Sequence, residues 1–177
     1  MTDYTNQRND GYGGSLAHRL RLGVETIQAV RQAVGHDFPV GYRVSQAKVN
    51  DFTHKWARGT LDAAVIFKTL SAAPIDYLHT TEFEAWQPAF GDGQSLAALA
   101  KEHATVPVIA NGSLHVPVES VGMIERGEAD LISLGRGALT HADWARRLRN
   151  GDDLGVFDRA LLSPLADLAN ARRLRDA

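Results

Sequence analysis

The chain has 177 residues, of which 44% are apolar and 23% are charged, a composition typical of globular proteins and long enough for one domain, residues 1–177. Its formal net charge of −2 provides no general attraction to nucleic acid or to an anionic membrane. The chain contains no cysteine, which excludes disulfides, thiolate metal sites and a cysteine nucleophile.

Targeting signals are also absent from the pattern. No apolar run approaches the roughly 18 residues of a membrane span. The first residues, "MTDYTNQRNDGYGGS", are polar and do not form the apolar segment of a signal peptide. We therefore expect a cytoplasmic protein that binds neither nucleic acid nor membrane.

Helical and strand patterns alternate along the chain. The first helix is predicted from Ser15, a suitable N-cap, to about Val34, with Gly35 as its C-terminal stop. Further helices are predicted at 61–71, 95–103, 117–126, 143–149 and 164–175, and strands at 38–45, 75–80, 106–110 and 129–135. This alternation, with strands about 25 to 35 residues apart, predicts an α/β fold with a parallel sheet.

Four strands are half the number in a (β/α)8 barrel, which typically needs about 250 residues. The chain is therefore either a small open-sheet protein or a half-barrel.

Two consecutive predicted strands end in turns of small residues. The first is "VPVIANGSL", where Gly112 and Ser113 follow the strand, and the second is "LISLGRG", where Gly135 and Arg136 follow it. The carboxyl ends of neighbouring parallel strands meet, so exposed backbone N–H groups and a guanidinium would suit a phosphate ester.

A less specific interpretation is that any connection from strand to helix needs a tight turn. Arg136 would then be a solvated residue or the partner of a nearby acid. The pair of turns together favours the phosphate site. A barrel that acts on some other phosphorylated metabolite is a further alternative.

Several stretches resemble a known family. "NQRNDGYGGSLAHRLR" resembles the segment after the fourth strand in the old yellow enzyme family of flavin-dependent oxidoreductases, and "VGYRVS", "VIANGSL" and "ADLISLGRGALTHADW" resemble its later strands in the right order. Members of that family are FMN-binding barrels that take hydride from NADH or NADPH and pass it to activated alkenes or related acceptors. The resemblance implies that this chain is the C-terminal half, about strands 5–8, of a TIM (β/α)8 barrel.

The resemblance also implies roles for individual residues. Arg43 would lie on strand five beside the flavin ring, where a cation supports the negative charge of reduced flavin. A buried structural ion pair is the alternative role for Arg43. The FMN phosphate would be held by Asn111, Gly112, Ser113, Gly135 and Arg136.

The N-terminal segment is expected to be structural. Its members form a corner that sets the first helix: Arg8, Asp10, Gly13, Gly14 and Arg19. The family often has an acidic residue and an asparagine where this chain has Gly11 and His18, so the local turn is expected to differ.

The family's substrate-binding His-His or His-Asn pair and its proton-donating Tyr lie upstream of the segment where this sequence begins. No catalytic residue is therefore assigned here, and the seven histidines show no metal-ligand spacing, so no metal is expected. The long segment "TTEFEAWQPAFGDG" follows a strand at the expected active face. Its Trp86 and Phe90 either shape a substrate pocket or pack the loop down, and its Glu82 and Glu84 are expected to be solvated.

The sequence thus predicts an FMN-dependent, NAD(P)H-using oxidoreductase represented by its C-terminal half, acting on a small-molecule substrate. The alternative is a noncatalytic half-barrel, truncated or dimerising, that at most binds the FMN phosphate. A sheet cut from a barrel has two unpaired edges, so a second copy of the chain or a complementary half-barrel is the candidate partner.

Overall fold

The computed structural model describes residues 1–48 and 50–175, with only the backbone of residue 175. It contains one sheet of four parallel strands in the order β1-β2-β3-β4. The strands are β1 (Gly41–Val44), β2 (Tyr77–Thr81), β3 (Val108–Asn111) and β4 (Leu131–Ser133). The helices are α1 (Leu16–Val34), α2 (Thr60–Ser71), α3 (Leu96–His103), α4 (Pro117–Glu125), α5 (Arg136–Thr140), α6 (Trp144–Asn150) and α7 (Leu168–Arg175).

The predicted α/β alternation is confirmed, and the strands are shorter than expected. Two short elements were not predicted: helix α5, which begins at Arg136 within the second glycine turn, and a 3₁₀ helix at Arg159–Leu162. Each strand pairs with the next strand along the chain, whereas the strand order of a doubly wound sheet reverses. The sequential order is that of a barrel segment.

Serine side chains cap the first turns of α1 and α3. The Ser15 hydroxyl accepts a hydrogen bond from the His18 backbone N–H at 3.3 Å, and the Ser95 hydroxyl accepts one from the Ala98 N–H at 3.1 Å. Gly35 ends α1 at φ +77°, a left-handed conformation that favours glycine. The predicted limits of the first helix are therefore confirmed.

The core lies on one face of the sheet. Leu78, Val108 and Ala110 point from the strands into this core and are fully buried, as are Ile66 and Phe67 of α2. Strand side chains alternate between faces, so the intervening residues point to the opposite side. That side is the inner face of the half-barrel, and its residues are partly or fully exposed: Gly41, Arg43, Tyr77, His79, Thr81, Ile109, Asn111, Leu131 and Ser133.

The N-terminal corner is confirmed as a structural feature. Arg8 pairs with Asp10, and a Cβ on Gly13 would lie only 1.9 Å from the Arg8 carbonyl oxygen. Arg19 donates from Nε to the Met1 carbonyl at 2.8 Å and from Nη1 to the Gly14 carbonyl. These contacts tie the first residues to the start of α1.

Across the part of the chain that the structure describes, no helix is long and apolar enough to cross a lipid bilayer.

Candidate flavin and phosphate site

The two glycine turns meet at the carboxyl ends of β3 and β4. Asn111, the last residue of β3, is in register with Ser133, the last residue of β4. Together with the start of the loop after β2, the turns surround an open cleft of about 230 Å³. Its lining residues are Glu82, Phe83, Asn111, Gly112, Ser113, Leu114, His115, Ser133, Leu134, Gly135 and Arg136.

The turn after β3 has an unusual backbone. Gly112 adopts φ +141°, and a Cβ at this position would lie 2.2 Å from the Glu82 carbonyl oxygen. Ser113 adopts φ +53°, and no other non-glycine residue in the described ranges has a positive φ. The Ser113 hydroxyl donates to the Phe83 carbonyl at 2.8 Å, so the turn after β3 is fixed against the loop after β2.

Arg136 reaches across the cleft from the second turn. Its Nη2 donates to the Ser113 hydroxyl oxygen at 2.7 Å. Within residues 1–48 and 50–175 it forms no ion pair, and the side chain is exposed, so its charge is available to an anion. Gly135 leaves open space beside it, since a Cβ there would have no neighbour within 4 Å. We call Gly112, Ser113, Gly135 and Arg136 the clamp.

Arg43 lies beside the clamp on the inner face of the sheet. Its Nη2 donates to the Thr81 hydroxyl at 3.0 Å and to Asn111 Oδ1 at 3.1 Å. Thr81 also donates to Asn111 Oδ1 at 2.8 Å, and Asn111 Nδ2 donates to the Ser133 carbonyl at 2.9 Å. One hydrogen-bonded row thus joins all four strands, and Asn111 links Arg43 to the clamp.

The alternative role of Arg43 in a buried ion pair is wrong. The residue is exposed, and its partners in this row are neutral oxygen atoms. The guanidinium needs no carboxylate partner here because water reaches it, whereas a buried guanidinium would need a counterion. Its charge also affects His79, its register neighbour on β2: burial first, and the charge of Arg43 second, lower the pKa of the His79 imidazole.

The loop after β2 packs against the core, and its two aromatic residues do not together line an open pocket. Trp86 and Phe90 pack against the core, and the Phe90 ring centroid lies 6.2 Å from that of Trp56. The expectation that Glu82 is solvated is wrong, because its side chain is only 10% exposed and accepts from Gln46 Nε2 and Lys55 Nζ, both at 3.4 Å. Glu84 is exposed, as predicted.

Sequence reasoning missed three residues of the site: Thr81, Ser133 and His115. Thr81 and Ser133 lie on β2 and β4 with the same orientation as Asn111, and the register alone brings them into one row. His115 lies two residues beyond Ser113 and lines the cleft. The strand ends were recognisable in the sequence, but a short serine or threonine at a strand end is too common to be singled out.

The cleft suits the phosphate end of FMN. Its volume is below the roughly 300–1,000 Å³ of sites that enclose a whole drug-sized ligand, and phosphate recognition typically combines backbone N–H groups with an arginine fork. At one side of the cleft, the backbone of Gly112 packs against that of Glu82 too closely to admit a Cβ. At the other side, the hydrogen bond to Ser113 holds the Arg136 guanidinium in place. The exposed Arg43 side chain lies on the adjoining inner face and contacts Asn111, which lines the cleft.

Comparison with known proteins identifies the family. The model of the NADH:flavin oxidoreductase / NADH oxidase family matches residues 1–154. The chain belongs to this family. The predicted resemblance to the old yellow enzymes is therefore confirmed.

Two curated relatives illustrate the similarity. NADH oxidase of Thermoanaerobacter brockii is 30% identical over 160 residues, which cover 85% of this chain and 24% of the relative. Cinnamate reductase of Clostridium sporogenes is 30% identical over 162 residues, covering 79% of this chain and 24% of the relative. The chain therefore spans about a quarter of the length of these relatives.

A solved structure supports the fold. Morphinone reductase, determined in complex with tetrahydroNAD, superposes with a TM-score of 0.72 over 96% of this chain at 21% sequence identity. The match covers 42% of the morphinone reductase chain. The all-parallel α/β sheet fits part of an old yellow enzyme barrel, which favours the half-barrel over an independent open-sheet protein.

Proposed function

We propose that this chain is the C-terminal, FMN-binding half of an NADH:flavin oxidoreductase of old yellow enzyme type. The observation that carries the proposal is the contact between Arg136 and Ser113 across two neighbouring strand ends, with Arg43 joined to the same site through Asn111. This arrangement supplies a cation for a phosphate and a second cation on the adjoining inner face.

The residues of the chain divide the binding task. Gly112 lets the turn after β3 approach the Glu82 carbonyl, Gly135 leaves open space at the second turn, and Arg136 supplies charge-assisted hydrogen bonds. Arg43 offers its positive charge to the edge of the flavin ring that becomes negative on reduction. Thr81 and Asn111 orient this guanidinium.

When bound, FMN supplies the hydride-accepting and hydride-donating chemistry of the reaction. We propose NADH or NADPH as the hydride donor and an activated alkene or related compound as the acceptor. The names of two relatives, an NADH oxidase and a cinnamate reductase, support this choice. The groups that bind the acceptor and donate its proton would come from a complementary half-barrel.

The proposal is tested by measuring the Kd of the purified chain for FMN, with the quenching of flavin fluorescence as the signal. Removing Arg136 deletes a hydrogen bond to a charged group, so Arg136→Ala should raise the Kd for FMN about 10- to 100-fold. Arg146→Ala is the matched control, since Arg146 is an exposed arginine that pairs with Asp143 away from the cleft.

Riboflavin, which lacks the phosphate, separates the clamp from the ring site. Its binding should be unchanged in Arg136→Ala. Absence of FMN binding by the unaltered chain, or equal losses for FMN and riboflavin in the variant, would overturn the assignment of the clamp.

The second candidate function is a noncatalytic half-barrel. The observation that favours it is the exposed inner face, where Leu131 of β4 is 55% exposed on a strand that pairs on one side only among the described residues. Pairing of two copies would cover this face without supplying the family's upstream groups. Ene-reduction by the chain, alone or mixed with a complementary half, would favour the enzyme, and a stable dimer free of turnover would favour this alternative.

A further inference from the structure

Among the residues that the structure describes, three titratable ones line the cleft: Glu82, His115 and Arg136. Arg136 belongs to the proposed clamp and Glu82 pairs with Lys55, so His115 is the one without an assigned role. It follows the Ser113 turn and lies half-buried against α5, where a Cβ on Gly137 would be 3.0 Å from the His115 Cβ. His115 thus lines the same cleft as Arg136 and Ser113.

We propose that His115 is a further phosphate-binding residue of this site, and that its imidazolium donates to the phosphomonoester together with Arg136. The inference rests on the proposed FMN site and adds a residue to it. The ligand chemistry is a dianionic phosphate monoester, which has three acceptor oxygens and can accept from both cations at once.

Burial and the charge of Arg136 both favour a neutral His115 imidazole in the absence of an anion. Burial first, and the charge of Arg136 second, lower the pKa of His115 below its ordinary value of 6.5, while a hydrogen bond to the Ser113 backbone opposes the shift. The remaining charged group of the cleft, Glu82, directs Oε2 towards Gln46 and Lys55. A phosphate dianion placed between His115 and Arg136 would offset their repulsion and favour the imidazolium.

The direction of the pH effect follows from this change. If the pKa of His115 is lowered in the free protein and raised in the complex, binding takes up a proton. Affinity therefore increases as the pH falls through the interval between the two pKa values, by at most about tenfold per pH unit for one proton. Above about pH 7 the phosphate itself contributes little, because its second pKa is about 6.

The experiment measures the Kd for FMN between about pH 7 and 8.5 in four proteins. The unaltered chain should lose affinity severalfold as the pH rises. His115→Gln, which cannot be charged, should bind FMN more weakly with a flat profile, and His115→Lys, which stays charged, should bind tightly with a flat profile. His36→Gln, a substitution of an exposed histidine, should retain the profile of the unaltered chain.

A second readout does not depend on flavin. The His115 imidazole is titrated by NMR with and without inorganic phosphate, and its pKa should rise when phosphate is present. If FMN binds but His115→Gln and the unaltered chain share one pH profile, or if phosphate leaves the His115 titration unchanged, this inference is overturned while the flavin site stands. Failure of FMN to bind at every pH would instead reject the proposed function.

Discussion

At the scale of single residues, the two glycines of the clamp differ in what an added side chain would contact. The backbone at Gly112 is in a left-handed region and lies against the loop after β2, whereas Gly135, at φ −100°, faces open space. The two glycines belong to equivalent turns on neighbouring strands, yet only the first is required by geometry. This difference makes them a matched pair for mutagenesis.

Gly112→Ala should lower the free energy of unfolding by about 1–3 kcal/mol, because a Cβ would lie 2.2 Å from the Glu82 carbonyl oxygen in a backbone conformation that alanine disfavours. Gly135→Ala should change it by less than about 0.5 kcal/mol. Urea denaturation followed by circular dichroism measures both. Equal stability of the two variants would contradict the close approach of the turn after β3 and the loop after β2.

Arg43 and His79 provide a second test at the residue scale. Since the charge of Arg43 contributes to the lowered pKa of His79, Arg43→Met should raise that pKa towards its ordinary value of 6.5. Burial, the larger cause, remains, so the recovery should be partial. NMR titration of His79 measures the change, with Arg149→Met as the control, and an unchanged pKa would show that the two side chains do not interact.

At the scale of elements, the same set of contacts around an aspartate occurs twice at the amino ends of the strands. Asp76, just before β2, accepts from the Val40 N–H at 2.6 Å and pairs with Arg31 of α1. Asp130, just before β4, accepts from the Val108 N–H at 2.7 Å and pairs with Lys101 of α3. In both cases the aspartate N–H donates back to the same partner residue's carbonyl, so each strand pair is aligned by the same contacts.

Asp130→Ala should lower the free energy of unfolding by about 1–3 kcal/mol at pH 7, since the fully buried Val108 would lose the acceptor for its N–H group. The pKa of Asp130 is lowered: burial opposes the shift, but Lys101 and the Val108 N–H outweigh it. The stabilisation is therefore present above the unfolded value of about 3.9 and is lost as the pH falls through the folded value.

Urea denaturation at about pH 7 and pH 3 checks this dependence. The unaltered chain and Asp130→Ala should differ most at neutral pH and less in acid, because the protonated carboxyl still offers an oxygen to the Val108 N–H. Glu84→Gln, at an exposed carboxylate, should match the unaltered chain throughout. A difference between the unaltered chain and Asp130→Ala that is equal at both pH values would mean that the charge of Asp130 does not contribute.

At the scale of the whole molecule, the sheet has one covered face and one face that other groups must cover in a complete barrel. Ile109 and Leu131 share a register layer on the inner face with Arg43 and His79, and Leu131 is largely exposed. Exposed apolar side chains beside strand edges that have no partner among the described residues favour association. We expect the purified chain to self-associate when no complementary half is present.

Leu131→Lys should shift this association towards monomer, because a charge would be buried in the contact. Sedimentation velocity over a range of concentrations measures the effect. Val156→Lys is the control, since Val156 is 91% exposed and lies outside the sheet. A monomeric unaltered chain at all concentrations would contradict pairing of two copies and favour a complementary half-barrel as the partner of this face.

The local patterns of the sequence determined much of this protein. Apolar spacing and end signals such as Ser15 and Gly35 specify α1, and the strand-then-glycine stretches mark the two turns, because helix periods, caps and glycine conformations act over a few neighbouring residues. The family, too, was recognisable from contiguous stretches.

Only the tertiary structure decided which side chains meet. The contact of Arg136 with Ser113 spans 23 residues and that of Arg43 with Asn111 spans 68, and both depend on strand register. Register also made Thr81 and Ser133 part of the site and placed Glu82 against Gln46 and Lys55 rather than in water. Such contacts arise from the packing of distant segments, and no local pattern specifies them.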